Sequence, residues 1–113
     1  MGLLRGSGAS KNYNKLELAL KTEMKEGSRE DAARAQIIRG DILMSQGDTR
    51  GAAMDYLKTV LLYKQQQAVQ AEALYKAGEA LAKMKDPRAS DQFKEAVQKY
   101  PDSPWAVKAR AKL

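Results

Sequence analysis

The 113-residue sequence contains no cysteine and no histidine. It therefore has no thiol nucleophile, no imidazole base, no disulfide and none of the usual zinc or haem ligands. No metal or cofactor is expected. A chain without thiols is indifferent to redox conditions, so cytoplasm and periplasm both stay open as its compartment. Proline occurs three times and β-branched residues are sparse, which leaves few interruptions to helical propensity. No stretch reaches the ~18 consecutive apolar residues of a membrane span, so membrane insertion is not expected, and the start lacks the apolar core of a secretory signal. Gly6 occupies the place where a myristoylation start needs Ser or Thr. Residues 1–10 read as a flexible leader or a cloning remnant.

Other absences bear on catalysis. The nearest carboxylate pair on one helical stretch, Glu72 and Glu79, has no neighbour that would separate the two pKa values. Arg5-Gly6-Ser7-Gly8 lacks the preceding strand and the Lys-Ser ending of a phosphate loop. The chain is not expected to be an enzyme.

Hydrophobic residues make up 43% and charged residues 30%, a balance that favours a folded chain over a disordered one. The length suits one compact domain or a short array of repeats. The net charge of +6 is mostly dispersed, because residues 28 to 103 hold twelve basic and eleven acidic side chains. Only the end is distinctly basic, with Lys108, Arg110 and Lys112 and no acid among them.

The periodicity predicts six helices. Tyr13, Leu16, Leu20 and Met24 fall on one face of a helix over residues 11–27 that Gly27 ends. Ser28 with Asp31 resembles a capping box for a helix to about Gln46, and Gly47 and Asp48 separate it from the next. From Thr49 to about Gln66, the ladders Ala52, Tyr56, Val60 and Ala53, Leu57, Leu61 define a wide apolar stripe. Ala71, Leu74, Tyr75, Gly78, Leu81 and Ala82 mark a fourth helix. Asp86-Pro87 reads as a cap and first-turn proline for a fifth, with Ala89, Phe93, Ala96 and Val97 on its apolar face. Ser103-Pro104 opens a sixth in the same way. Short loops between these helices imply antiparallel hairpins in succession.

The hairpins repeat. Gly40 is followed by Leu43, Ala52 and Tyr56 at plus three, twelve and sixteen. Gly78 is preceded by Leu74 and followed by Leu81, Ala89, Phe93, Ala96 and Pro101. This pattern resembles the tetratricopeptide repeat, over roughly residues 33–113. There are departures: Gly78 to Ala89 is one residue short, and Thr59 and Lys64 stand where Ala and Pro are typical. Gly40 to Gly78 is 38 residues against the family's 34, which reads as one extra helical turn around Lys64 to Gln67. The long helices and the Tyr100-Pro101-Asp102-Ser103-Pro104 junction look similar to repeats of bacterial envelope lipoproteins and Tol-system periplasmic factors.

The resemblance implies an all-α fold of antiparallel hairpins stacked as a short right-handed solenoid. Its parts would be an N-terminal helix at 11–27, units at 28–67 and 68–102, and a partial third unit or capping helix at 103–113. It also implies a protein-interaction scaffold that binds a peptide or partner protein in a short groove lined by the first helix of each unit. The corresponding partner-binding candidates are Arg34, Ile37, Asp41 and Ser45, then Glu72, Tyr75, Lys76, Glu79 and Lys83, then Trp105. The family's carboxylate clamp is absent, since the matching places hold Ile37, Asp41, Lys76 and Trp105. Two alternatives stand beside this reading. A two-unit array short of the usual three would self-assemble as a homo-oligomer or form part of a longer repeat protein. Nucleic-acid binding through the basic C-terminal helix ranks below both, because no polar code recurs across the units.

Overall fold

The computed structural model describes residues 15–113. Among them are six helices and no strand, the all-α architecture that the periodicity predicts. Helix α1 spans residues 15–26 of the described chain. It is followed by α2 (Arg29–Ser45), α3 (Thr49–Leu62), α4 (Gln67–Lys83), α5 (Ala89–Lys99) and α6 (Pro104–Ala111). The leader read at 1–10 and the apolar position Tyr13 lie outside the described residues.

Several ends form as their residues dictate. The Ser28 hydroxyl accepts from the Asp31 amide at the start of α2, and the Asp48 carboxylate accepts from the Gly51 amide at the start of α3. Ser103 accepts from the Trp105 amide, with Pro104 in the first turn of α6. Asp86 instead accepts from the Arg88 amide within a turn, and α5 begins only at Ala89. Pro87 thus precedes the helix rather than opening it. The α2 and α4 C-termini close alike, with Asp48 N–H donating to Leu43 C=O and Asp86 N–H to Leu81 C=O. The left-handed residue in each turn differs: Gly47 at φ 85° in the first, Lys85 at φ 57° in the second.

Helix α3 ends at Leu62, short of the expected end at about Gln66, although its apolar ladder is complete at Leu61. Buried Gln70 of α4 donates to the carbonyls of Thr59 and Tyr63, and the Arg29 guanidinium donates to that of Leu62. These donors satisfy end carbonyls of the helix, so it can stop there. Residues 63 to 66 lie between α3 and α4 and add no helical turn. The extra repeat length lies in the first helices: α2 and α4 each run 17 residues.

Neighbouring helices pack in chain order, and α4 also touches α2 and α6. The core is built largely of alanine, with Ala33, Ala52, Ala73, Ala77, Ala80 and Ala96 almost fully buried around Ile37, Leu74 and Leu81. Small side chains let the helix axes approach, and glycine takes this furthest. A Cβ on Gly40 would lie 2.6 Å from Cε1 of Tyr56, and one on Gly78 would lie 2.6 Å from Cε1 of Phe93. The repeat spacing therefore corresponds to one recurring contact, a glycine backbone against an aromatic ring of the partner helix.

Helix α1 joins by a smaller cluster in which Leu20 and Met24 meet Ala35, Ile38 and Ile42. Leu16, expected on that face, is 42% exposed. Beside this cluster, the core contains charge. Gln36 Nε2 donates to Asp55 Oδ1 at 2.9 Å, and Arg39 Nε lies 3.3 Å from Asp55 Oδ2 without hydrogen-bond geometry. Burial pushes the Asp55 carboxyl above its ordinary range, although Arg39, Lys58 and Gln36 each pull it down.

A candidate partner-binding groove

The first helices α2, α4 and α6 carry the predicted site residues, and their contacts bring most of these together. Four charges form a chain between α2 and α4. Arg34 Nη1 donates to Glu72 Oε1 at 2.6 Å, and Lys76 Nζ donates to Glu72 Oε2 at 2.7 Å. Lys76 also reaches both carboxylate oxygens of Asp41 at 3.0 Å, and the Tyr56 hydroxyl donates to Asp41 Oδ1 at 2.6 Å. Two cations and two anions cancel.

Environment fixes the protonation of Glu72, Lys76 and Tyr56. Burial alone would raise the Glu72 pKa, but hydrogen bonds from Lys76 and Arg34, with their positive charges, carry it below the ordinary carboxylate value. Burial likewise works against the Lys76 ammonium, and its bonds to Glu72 and Asp41 more than reverse this. Burial and the bond to Asp41 push the Tyr56 hydroxyl far above its usual pKa. Across neutral pH Glu72 stays a carboxylate, Lys76 an ammonium and Tyr56 a neutral phenol.

Beyond Lys76 the surface turns aromatic. Tyr75 packs between Phe93 and Trp105, with ring centroids 5.8 Å and 5.7 Å away. Its hydroxyl donates to Glu79 Oε2 at 3.0 Å. The Lys108 and Lys76 ammonium groups lie 4.5 Å and 5.4 Å from the Trp105 ring centroid. Trp105 is half-buried, with both ammonium groups within cation–π distance of its ring.

Two adjoining concavities, of about 310 Å³ and 430 Å³, share Met44 and Glu79. Asp41, Ser45, Tyr56 and Lys76 complete the first; Ala82, Lys83, Phe93 and Lys112 complete the second. Arg34, Asp41, Ser45, Glu72, Lys76, Glu79, Lys83 and Trp105 thus lie in the charge chain, the aromatic stack or the concavities. Tyr75 is only 8% exposed and supports Trp105 from beneath. Ile37 is a correction: it is fully buried in the core cluster and offers no surface to a partner.

Sequence reasoning passes over Met44, Lys112 and the bond from Tyr56 to Asp41. Met44 lies three residues after Asp41, a spacing that places the two on one face of α2. Lys108, three residues after Trp105, carries a readable signal, since that spacing places both on one helical face.

Residues 72–103 match the tetratricopeptide repeat family, a span from Glu72 in α4 to the Ser103 cap. Comparison with curated proteins and with solved structures gives no match.

Proposed function

We propose, from the match of residues 72–103 to the tetratricopeptide repeat family, that this chain is a protein-interaction module holding a partner's peptide along the face shared by α2, α4 and α6. The observation that carries this reading is the pair of adjoining concavities joined at Met44 and Glu79. They offer apolar surface from Met44, Ala82 and Phe93 beside a few fixed polar groups, the composition that orients a bound segment. The charge chain that reaches the first of them through Asp41 and Lys76 is already neutralised from within. Affinity would come mainly from apolar side chains entering the concavities, with orientation from hydrogen bonds to Glu79 and Lys83.

Peptides selected from a displayed random library provide the test. Amide chemical-shift changes are expected around Asp41, Met44, Glu79 and Lys83, and Glu79→Lys should weaken binding while circular dichroism shows the protein still folded, although the lost bond from Tyr75 lowers its melting temperature. Shifts centred on α1 and α3, or full affinity in the Glu79→Lys protein, would sink the proposal.

Self-association is a second reading, favoured by exposed apolar side chains toward both ends of the array. Leu16 and Leu18 on α1 are 42% and 67% exposed, and Val107 on α6 is 57% exposed. Packing one end against the other would cover both and produce a head-to-tail assembly. Sedimentation should then show mass rising with concentration and falling back to monomer in Val107→Lys; a concentration-independent monomer rejects this reading.

A further inference from the structure

A third concavity, of about 650 Å³, lies where α3 meets the turn between α4 and α5. It shares no lining residue with the two in the groove. Its apolar wall is Met54, Leu57, Leu81 and Met84, and Met54 is 52% exposed. Unbranched methionines can re-form around side chains of different shape.

The rim is electropositive. Asp86 and Arg88 pair with each other at 2.8 Å and cancel. Arg50 and Lys85 remain, both exposed and without an ion-pair partner among the described residues.

Lys85 adds an independent observation. It occupies the left-handed position of its turn, where the matching turn of the first hairpin has Gly47 and closes with the same hydrogen bonds. A lysine there opposes local backbone preference, and such strain is tolerated where the side chain serves a purpose. Here the lysine is one of the residues that line the concavity.

We propose that this concavity is a second docking site, taking an acidic, apolar-bearing segment of a partner protein. The apolar side chain enters between Met54 and Met84, and carboxylates on the same segment meet Arg50 and Lys85. Charge complementarity selects this occupant, because beside the apolar wall the Asp86–Arg88 pair cancels and Arg50 and Lys85 are left without an ion-pair partner among the described residues.

The probe is a synthetic peptide of roughly 12 residues with Leu and Glu at helical spacing, compared with its Gln-for-Glu counterpart. Binding should shift amide signals at residues 50 to 57 and 84 to 88 and weaken as salt rises. Arg50→Glu and Lys85→Gly should each lower affinity about tenfold, the loss expected for one charge contact. Lys85→Gly should do so without lowering the melting temperature, which separates lost binding from lost folding. Glu79→Lys in the groove should leave this binding intact. The proposal is overturned if the peptide causes no shifts at those residues, if the Gln peptide binds equally, or if both variants bind like wild type. Shifts confined to the α2, α4 and α6 face would also overturn it, as would binding only to vesicles of phosphatidylcholine and phosphatidylglycerol.

Discussion

The ring of Tyr56 lies against the backbone of Gly40 so closely that a Cβ there would stand 2.6 Å from Cε1. Alanine at residue 40 would gain about 1 kcal/mol of helix propensity over glycine. Forcing the buried ring aside costs more, about 1–3 kcal/mol for an overpacked core. Gly40→Ala is therefore expected to lower the urea midpoint, with a net loss of about 1 kcal/mol. In a double-mutant cycle with Tyr56→Leu, the loss should shrink, because the smaller side chain makes room.

Glu72 joins Arg34 and Lys76, and its side chain is only 9% exposed. Glu72→Gln is expected to cost about 2 kcal/mol near neutral pH, in the range for hydrogen bonds to a charged group. Its folded-state pKa is lowered, so the carboxylate contributes stability above the unfolded value near 4.5 and loses it as pH falls through the folded pKa. The gap between wild type and variant should accordingly close in acid. A gap that stays constant down to about pH 2 would contradict the charge assignment.

Asp55 predicts the opposite trend. Burial raises its folded-state pKa above 3.8, so its favourable contribution is complete below that value and declines as pH rises through the folded pKa. Relative to wild type, Asp55→Asn should gain stability between about pH 3 and pH 7, since asparagine can still accept from Gln36 and carries no buried charge. Guanidinium unfolding at the two pH values measures the difference, and a relative loss over this range would show that the Arg39 pair dominates.

Lys85 at φ 57° pays for a left-handed backbone that glycine adopts freely. Relief of about 1 kcal/mol is offset in part by glycine's greater freedom in the unfolded chain. Lys85→Gly should raise the urea midpoint by a net few tenths of a kcal/mol at unchanged slope. Lys85→Ala, which keeps a Cβ, should not.

Local features carry much of the fold. Ser28, Asp48 and Ser103 cap the helices they precede because capping involves residues two or three positions apart. Gly40 with Tyr56 and Gly78 with Phe93 are readable because each hairpin brings its own members together. The end of α3 is not readable this way, since Gln70 and Arg29 complete it from other helices. Ile37 illustrates the limit for the site: its helix is identifiable, but which part of the circumference faces the core depends on how α2 sits against α3 and α4.

The sequence by itself determined the helical class, the order of the hairpins and the glycine-aromatic register, because short-range periodicity and sterics specify them. Tertiary structure alone decided the chain from Arg34 through Glu72 and Lys76 to Asp41, whose links from α2 to α4 join residues 38 and 35 positions apart. It also decided that Lys83 and Lys112 border one concavity. These contacts depend on the distance and rotation between separate helices, set by which small residues meet in the alanine core.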